Sequence, residues 1–468
     1  MARPFVSRSL AVLATVCVIA LACASAASSA GGGTSTGLSP VVIDSKPWTG
    51  DFDGMFTRRR IRMLVPYSRT LFYVENGKAK GLTAELAKDF ETYLNQKHAK
   101  ELGGKKITVD LIPTTRDRLL TGLTDGMGDI SGGNLTATAV RMRTADFVAQ
   151  TDRAPATEVL VSGPNAPAIA TLDDLSGKKV NVRQASSYLE SLNALNEKLG
   201  AANKPSVQIV TMPDALEDED VLEMLNAGLF DLTVVDSWKA KLWAQLEPRI
   251  KVHDDVVLRS GGTTGWAIRK QSPKLQAEIE GFFKNASQQD LIGARLSSYQ
   301  DKLREIATRS AQASKDFAAT VALFKQYGSQ YAFDPLMLAA QGFQESQLHS
   351  SAAATVMQSP PAAGADFEKN VQAGSKYVAQ LMSQSFPDAK FSDADRTLFT
   401  FASYRAGADK IVAMRKEAAK RGLDPNRWFN NVEQVTAEKL GMETTAYVRD
   451  ILKYNVAYKL VGAAGPAK

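Results

Sequence analysis

Hydrophobic positions along the first half of the chain follow two periods. Ile61, Met63 and Val65 alternate with polar residues, the pattern of a half-buried strand. Leu82, Leu86, Phe90 and Leu94 then recur every fourth residue and form the apolar stripe of an amphipathic helix. Ile107, Val109 and Leu111 alternate again, and Asn76-Gly77 between the first strand and the helix marks a turn. Further short apolar runs at Val180 to Val182, Val207 to Val210 and Leu232 to Val235 read as strands, and Gln271-Ser272-Pro273 opens a helix expected to end near Ser298. This strand–helix–strand rhythm predicts an α/β domain.

The pattern also repeats. Leu119, Leu120 and Leu123 precede Gly128-Asp129-Ile130, and at matching offsets Val221, Leu222 and Leu225 precede Phe230-Asp231-Leu232. In each case a short apolar helix leads through a Gly-containing turn into a strand opening with Asp, which suggests two similar lobes. From about Lys302 the character becomes nearly all helical. Phe317, Val321 and Phe324 form one stripe, Asp334-Pro335 pairs an N-cap with proline at the first helical position, and later stripes run Val371 to Met382, Leu398 to Tyr404 and Tyr447 to Leu460. The expected organisation is a leader over 1–30, a flexible tether rich in Gly, Ser, Thr and Pro over 31–57, an α/β domain over 58–304 and a helical domain over 305–468.

Composition narrows the chemistry. The chain has 468 residues, 44% hydrophobic and 23% charged, enough for two or three soluble domains with cores of their own. Arg3 and Arg8, the apolar run Leu10 to Ala22 and the small residues that follow read as an export signal, too short for a comfortable membrane span. Both cysteines, Cys17 and Cys23, lie inside this segment, so the body of the protein has no thiol chemistry, and with three histidines a structural zinc site is not expected. Ala20-Leu21-Ala22-Cys23 is close to a lipobox in which Cys23 would be lipidated, whereas Ala24-Ser25-Ala26 is an ordinary cleavage site; both readings stand. A net charge of +6 would suit an anionic polymer or a membrane surface, but a solvated basic surface is the better account of so mild a charge on so long a chain, and no nucleic-acid motif accompanies it.

Gly81-Leu82-Thr83-Ala84-Glu85-Leu86-Ala87, and then Leu135-Thr136-Ala137-Thr138-Ala139-Val140-Arg141 leading to Ala145-Asp146-Phe147, resemble the family 3 bacterial extracellular solute-binding proteins over roughly residues 58–290. The resemblance implies a two-lobed, periplasmic-binding-protein-like α/β domain that closes on a small carboxylate-bearing ligand such as an amino acid or a muropeptide. Arg141 would fork onto the ligand carboxylate, a geometry to which guanidinium is suited. Hydroxyls near Thr136 and Ser186 would add hydrogen bonds, and Asp236 would take the ligand's amino group. Arg141 paired with a neighbouring carboxylate, and Asp236 as the N-cap of the helix begun by Ser237-Trp238-Lys239, are the alternatives.

The stretch Tyr331-Ala332-Phe333-Asp334-Pro335-Leu336-Met337-Leu338-Ala339-Ala340-Gln341-Gly342-Phe343-Gln344-Glu345-Ser346-Gln347-Leu348 closely resembles the catalytic helix of soluble-lytic-transglycosylase-type domains, related to goose-type lysozyme. Asp424-Pro425-Asn426-Arg427-Trp428 and Glu443-Thr444 with Tyr447 extend the resemblance over about residues 315–462. It implies an all-α domain of the α+β lysozyme-like superfamily and cleavage of peptidoglycan, with Glu345 as acid and then base and no cofactor or metal. Late on its helix Glu345 opposes the dipole, and Phe343 and Leu348 desolvate it; both favour the protonated acid that glycosidic cleavage needs. The resemblance assigns Ser346, Met357, Gln358, Tyr404 and Tyr447 to substrate binding, although each tyrosine would equally serve as a core aromatic. Two departures bear on activity. The segment Ser350 to Val356 lacks the family's glycines and is shorter, and Arg405 stands where the family has an amide; a cation beside Glu345 would lower its pKa. The expectation is therefore an exported, periplasmic peptidoglycan lyase, anchored at the outer membrane if Cys23 is lipidated, whose partners are glycan strands and a small carboxylate ligand. The rival reading is a non-catalytic solute sensor with a degenerate transglycosylase domain.

Overall fold

The computed structural model describes residues 46–75, 78–149, 155–288, 290, 293–299, 337, 340–341 and 367–463. The chain divides into two compact units, one comprising Pro40–Leu225 and Phe230–Arg304 and the other including Glu305–Lys468, and each is taken by itself.

Twelve strands build the first unit: β1 (Arg60–Pro66), β2 (Tyr73–Glu75), β3 (Lys78–Lys80), β4 (Thr108–Thr114), β5 (Ile130–Thr136), β6 (Ala145–Ala149), β7 (Ala156–Ser162), β8 (Lys179–Arg183), β9 (Gln208–Met212), β10 (Leu232–Asp236), β11 (Lys251–Gly262) and β12 (Thr264–Arg269). Apart from the β2–β3 hairpin they form two five-stranded sheets, β4-β1-β5-β12-β6 and β9-β8-β10-β7-β11. In the first, β4, β1 and β5 run parallel and β12 and β6 join antiparallel. The second repeats this plan, with β9, β8 and β10 parallel and β7 and β11 antiparallel. The two halves of the sequence echo therefore occupy the same place in the two lobes. Helix Arg118–Thr124 leads into β5 as helix Asp218–Asn226 leads into β10, and each strand is third in its sheet. The chain passes from lobe 1 to lobe 2 between β6 and β7 and returns between β11 and β12.

Lobe 1 is covered on both faces, as sheets with parallel strands require. Phe90 of helix Leu82–Lys97 and Phe282 and Phe283 of helix Pro273–Gln288 pack around Trp266, with Trp266 and Phe282 stacked at 5.8 Å. Leu119 and Leu123 cover the other face with Leu64, Ile112 and Leu135. The helix opened by Pro273 is described to Gln288, and residues 293–299 are again helical, reaching the expected end near Ser298.

The tether expected to run to residue 57 gives way to structure sooner. Trp48 donates its backbone N–H to the Gly126 carbonyl at 2.9 Å, and Arg58 lies over its indole ring at 3.8 Å. Gly126, at φ +71°, leaves room for this, since a β-carbon there would fall 2.9 Å from the Trp48 backbone. Asp51 caps helix Phe52–Arg58, whose Phe52 and Met55 are buried. The physical reason is that one tryptophan and two buried apolar side chains supply enough surface to order a segment whose glycines suggest a linker.

The second unit is helical where it is described. Helices Phe367–Gln384, Asp393–Ala406, Ala408–Lys420, Glu433–Leu440 and Met442–Ala463 enclose a core that includes Val371, Phe399, Phe401, Trp428, Val435 and Ile451. Arg415 stacks among Phe386, Phe391 and Phe399 and donates to the Pro425 carbonyl and Asn426, which pins the loop before Trp428. No helix among the described residues is long and apolar enough to cross a membrane.

Candidate functional site

All four solute-site residues expected from the sequence line one cavity between the two lobes. Thr136 ends β5, Arg141 follows it, Ser186 follows β8 and Asp236 ends β10. They meet because both sheets present the C-terminal ends of parallel strands to the gap, the edge at which α/β sheets bind ligands. The enclosed space is narrow, about 20 Å³, and Arg116, Asn134, Arg183, Tyr188, Asp218 and Lys239 complete its polar lining.

Arg141 spans the gap. Its Nη1 donates to the Thr136 carbonyl of lobe 1 at 3.0 Å and its Nη2 to the Ala185 carbonyl of lobe 2 at 2.9 Å. Glu190 stands 4.0 Å from its Nε and accepts from Thr138 Oγ1 at 3.1 Å. Burial lowers the Arg141 pKa and Glu190 partly opposes this. Two carbonyls thus fix the plane of the guanidinium, while its remaining N–H groups are free of any pairing closer than Glu190. The Ser186 hydroxyl donates to the Arg183 carbonyl at 2.7 Å and accepts from Leu189 N, so it serves first as the cap of helix Ser187–Ala201.

The two lining carboxylates differ sharply. Asp218 accepts from Arg183, from Lys239 and, at 3.1 Å, from the Tyr188 hydroxyl. Burial alone would raise its pKa, but Arg183 and Lys239 hold it well below the usual carboxylate range. Asp236 lacks these hydrogen bonds and feels Lys239 only at longer range. It occupies the N-cap position of helix Ser237–Trp243, yet its side chain makes no capping bond. The residue is 3% exposed and its Oδ1 has no hydrogen-bond partner. Burial raises its pKa to about 6, Lys239 working against that shift and Asp218 with it. A buried acceptor without a partner is a costly feature, and one aimed into a cavity beside an oriented arginine suits a ligand carrying both a donor and a carboxylate. The sequence reading passed over Arg116, Arg183, Tyr188, Asp218 and Lys239. The run Glu217-Asp218-Glu219-Asp220 was the available signal, but taken alone it reads as a solvated acidic helix start.

In the second unit, Met337, Ala340 and Gln341 of the catalytic-helix-like stretch are helical and buried, on the spacing of one helix face. Glu345, Ser346, Met357 and Gln358 lie outside the described residues. Tyr404 and Tyr447 belong to the apolar core, 9% and 2% exposed, with Tyr404 packed on Tyr377 at 5.8 Å. Arg405 reaches Glu443 at 3.6 Å and lies over the Tyr447 ring at 5.9 Å. Glu443 belongs to the last helix of the same unit and is largely exposed. Among the described residues no cluster of three or more His, Cys, Asp or Glu side chains could hold a metal ion.

The doubled five-stranded plan with its interlobe cavity defines a two-lobed solute-binding protein. The profile of the bacterial extracellular solute-binding proteins, family 3, matches residues 61–301, more than half of the chain, and the chain belongs to that family. Over most of its length the chain is similar to membrane-bound lytic murein transglycosylase F of Ectopseudomonas mendocina, 26% identical over 394 residues that cover 79% of this chain and 75% of that one. It is equally similar to the protein of the same name from Desulfosudis oleivorans, 26% identical over 392 residues covering 79% and 80%. Among solved structures, an ancestral arginine-binding protein bound to arginine is 21% identical, covers 52% of this chain and 98% of its own, and superposes with a TM-score of 0.42.

Proposed function

We propose that this protein is a periplasmic peptidoglycan lytic transglycosylase that cleaves the MurNAc–GlcNAc bond and leaves 1,6-anhydro-muropeptide ends, and that its solute-binding domain regulates or positions it by taking up a small carboxylate-bearing ligand, an amino acid or a muropeptide. The catalytic half rests on the stretch Tyr331 to Leu348 and on relatives of that name aligned over 79% of the chain. Glu345 as a protonated acid delivers its proton to the leaving glycosidic oxygen. As carboxylate it then removes the proton of the sugar's own 6-hydroxyl, which closes the anhydro ring without water. Ser346, Met357 and Gln358 are assigned to the glycan-binding groove; Tyr404 and Tyr447, packed in the apolar core, support it rather than line it. In this reading Arg405 pairs with Glu443, at 3.6 Å, and not with Glu345.

The binding half is carried by one observation, the buried and unpartnered Asp236 Oδ1 across a cavity from Arg141. Asp236 receives the ligand's ammonium or amide donor and Arg141 its carboxylate. The leader at 1–30 exports the chain, and a lipid on Cys23 would hold it at the outer membrane.

The test is to incubate the protein with purified peptidoglycan and to analyse the soluble products by mass spectrometry. Anhydro-muropeptides are expected from the wild type and not from Glu345→Gln, which retains glycan binding because the amide is nearly isosteric. Anhydro products that persist in Glu345→Gln overturn the catalytic assignment. A wild type that sediments with peptidoglycan but releases nothing is the non-catalytic binder.

A further inference from the structure

One short acidic segment of lobe 2 is bonded almost entirely to lobe 1. Glu217 takes Arg116 in a bidentate grip at 2.8 and 2.6 Å, with both side chains 4% exposed. Glu219 accepts from the Ser68 hydroxyl at 2.7 Å and from Thr70 N at 3.3 Å. Asp220 and Glu223 share Arg69, the former at 3.3 Å. Asp218 alone turns back to its own lobe. The partners sit on the loops that follow β1 and β4, at the sheet edge bordering the cavity. Trp243 of lobe 2 reinforces the same seam, lying under Arg69 at 4.8 Å and donating Nε1 to Thr70 Oγ1 at 3.1 Å.

In a two-lobed binder, closure is ordinarily supplied by a ligand that touches both lobes, because a ligand shifts the open–closed equilibrium only by its differential contacts. Here the chain itself supplies bridging contacts of the same chemistry, carboxylate to guanidinium, and several are buried. Separating the lobes would leave Glu217 and Arg116 without their partners. We propose that residues 217–223 form an intramolecular latch that keeps the two lobes closed whether or not a ligand occupies the cavity. Ligand exchange then waits on latch opening, and occupancy is read through contacts inside the closed domain rather than through closure itself. This inference is independent of the ligand's identity and of the catalytic reading.

Double electron–electron resonance on the full chain tests it, with spin labels on cysteines replacing Lys88 of lobe 1 and Lys204 of lobe 2, both exposed, and with Cys17 and Cys23 changed to serine. The unliganded protein is expected to give one short, narrow distance. Glu217→Gln/Glu219→Gln/Glu223→Gln should move the distribution to longer distances. Arg69→Met/Arg116→Met, which cuts the latch from the other lobe, should do the same, so that a folding defect in one variant does not decide the matter. Asp110→Asn, which removes an ion pair with Arg60 inside lobe 1, should leave the distance unchanged. A long or broad distance in the unliganded protein overturns the latch. So does an unchanged short distance in whichever of the two multiple variants retains native circular dichroism.

Discussion

Asp129, at the base of lobe 1, and Asp236, at the cavity between the lobes, are both buried carboxylates beside strands that hold equivalent or neighbouring places in their sheets, and they are treated in opposite ways. Asp129 is fully enclosed and receives Arg62 through N at 2.8 Å and Nη2 at 2.9 Å, Arg269 at 3.2 Å, and Arg58. The same arginines hold the carbonyls of Trp48 and Gly50, so the cluster fastens the incoming chain to the lobe. Asp236 is as thoroughly buried, and Oδ1 has nothing. The difference teaches that burial and charge do not distinguish a structural ionic site from a binding one. What sets Asp236 apart is an unmet bond in the lining of a cavity; the unpaired Oε2 of buried Glu219 lies outside that lining, in a side chain whose other oxygen is held by Ser68 and Thr70.

The largest expected effect lies on the structural side. Asp129→Ala leaves three guanidinium groups around an empty position and should destabilise the first unit by about 3–5 kcal/mol in urea unfolding. The released arginines should also loosen residues 46–58 to proteolysis. A loss below about 1 kcal/mol would remove the contrast between the two sites.

Asp236→Asn should act in the opposite direction. The carboxyl group has a pKa of about 6 in the folded state against 3.8 as reference, so above pH 6 the folded state bears the cost of an ionised group that the unfolded state solvates freely. That cost is relieved as pH falls through 6 and is gone below about 4. The variant should therefore be more stable than the wild type by about 1–3 kcal/mol at neutral pH, with the gain vanishing under acid. Melting temperatures of the two proteins measured from pH 4 to 8 give the answer, and a gain that grows toward low pH would contradict it.

Arg141→Ala removes two hydrogen bonds to carbonyls on opposite lobes and should cost about 1–3 kcal/mol, mostly as easier separation of the lobes. Its effect on uptake of a carboxylate ligand should exceed its effect on stability. Arg405→Asn should be the mildest change, about 0–1 kcal/mol, because its pair with Glu443 is long and Glu443 is largely exposed. Activity on peptidoglycan near neutral pH should hardly move. A marked rise in activity would mean that Arg405 reaches Glu345 after all.

Much of the cavity was legible in the sequence because Leu135 to Arg141 resembles the solute-binding family and Asp236 directly follows the apolar run Leu232 to Val235. Thr136 closes the run Ile130–Thr136, and Asp236 closes Leu232–Asp236. The repeat that brings Asp129 and Asp231 into register announced the second lobe before any coordinates. What the sequence concealed was pairing. Nothing local says that Glu217 crosses to Arg116 or that Asp218 turns back to Lys239, because those contacts join residues 101 and 21 positions apart. Helix periodicity likewise gave Tyr404 and Tyr447 no preference between groove and core, and burial among Phe399, Phe401 and Val448 depends on how the helices meet. Trp48 escaped notice because a single large side chain in a glycine-rich run carries no period.

The most direct test of the binding site is thermal stabilisation of the full-length protein by a panel of amino acids and purified muropeptides, run in parallel on the wild type, Asp236→Asn and Asp129→Asn. At pH 7.5 a ligand bearing both an amino group and a carboxylate should raise the wild-type melting temperature, by an amount set by its concentration over Kd. For the wild type the rise should shrink as pH falls below 6 and Asp236 takes up its proton. Asp129→Asn should melt earlier yet show the same ligand-induced rise, whereas Asp236→Asn should melt later and show none. A ligand that stabilises Asp236→Asn as much as the wild type would contradict the assignment of the unpaired carboxylate to binding.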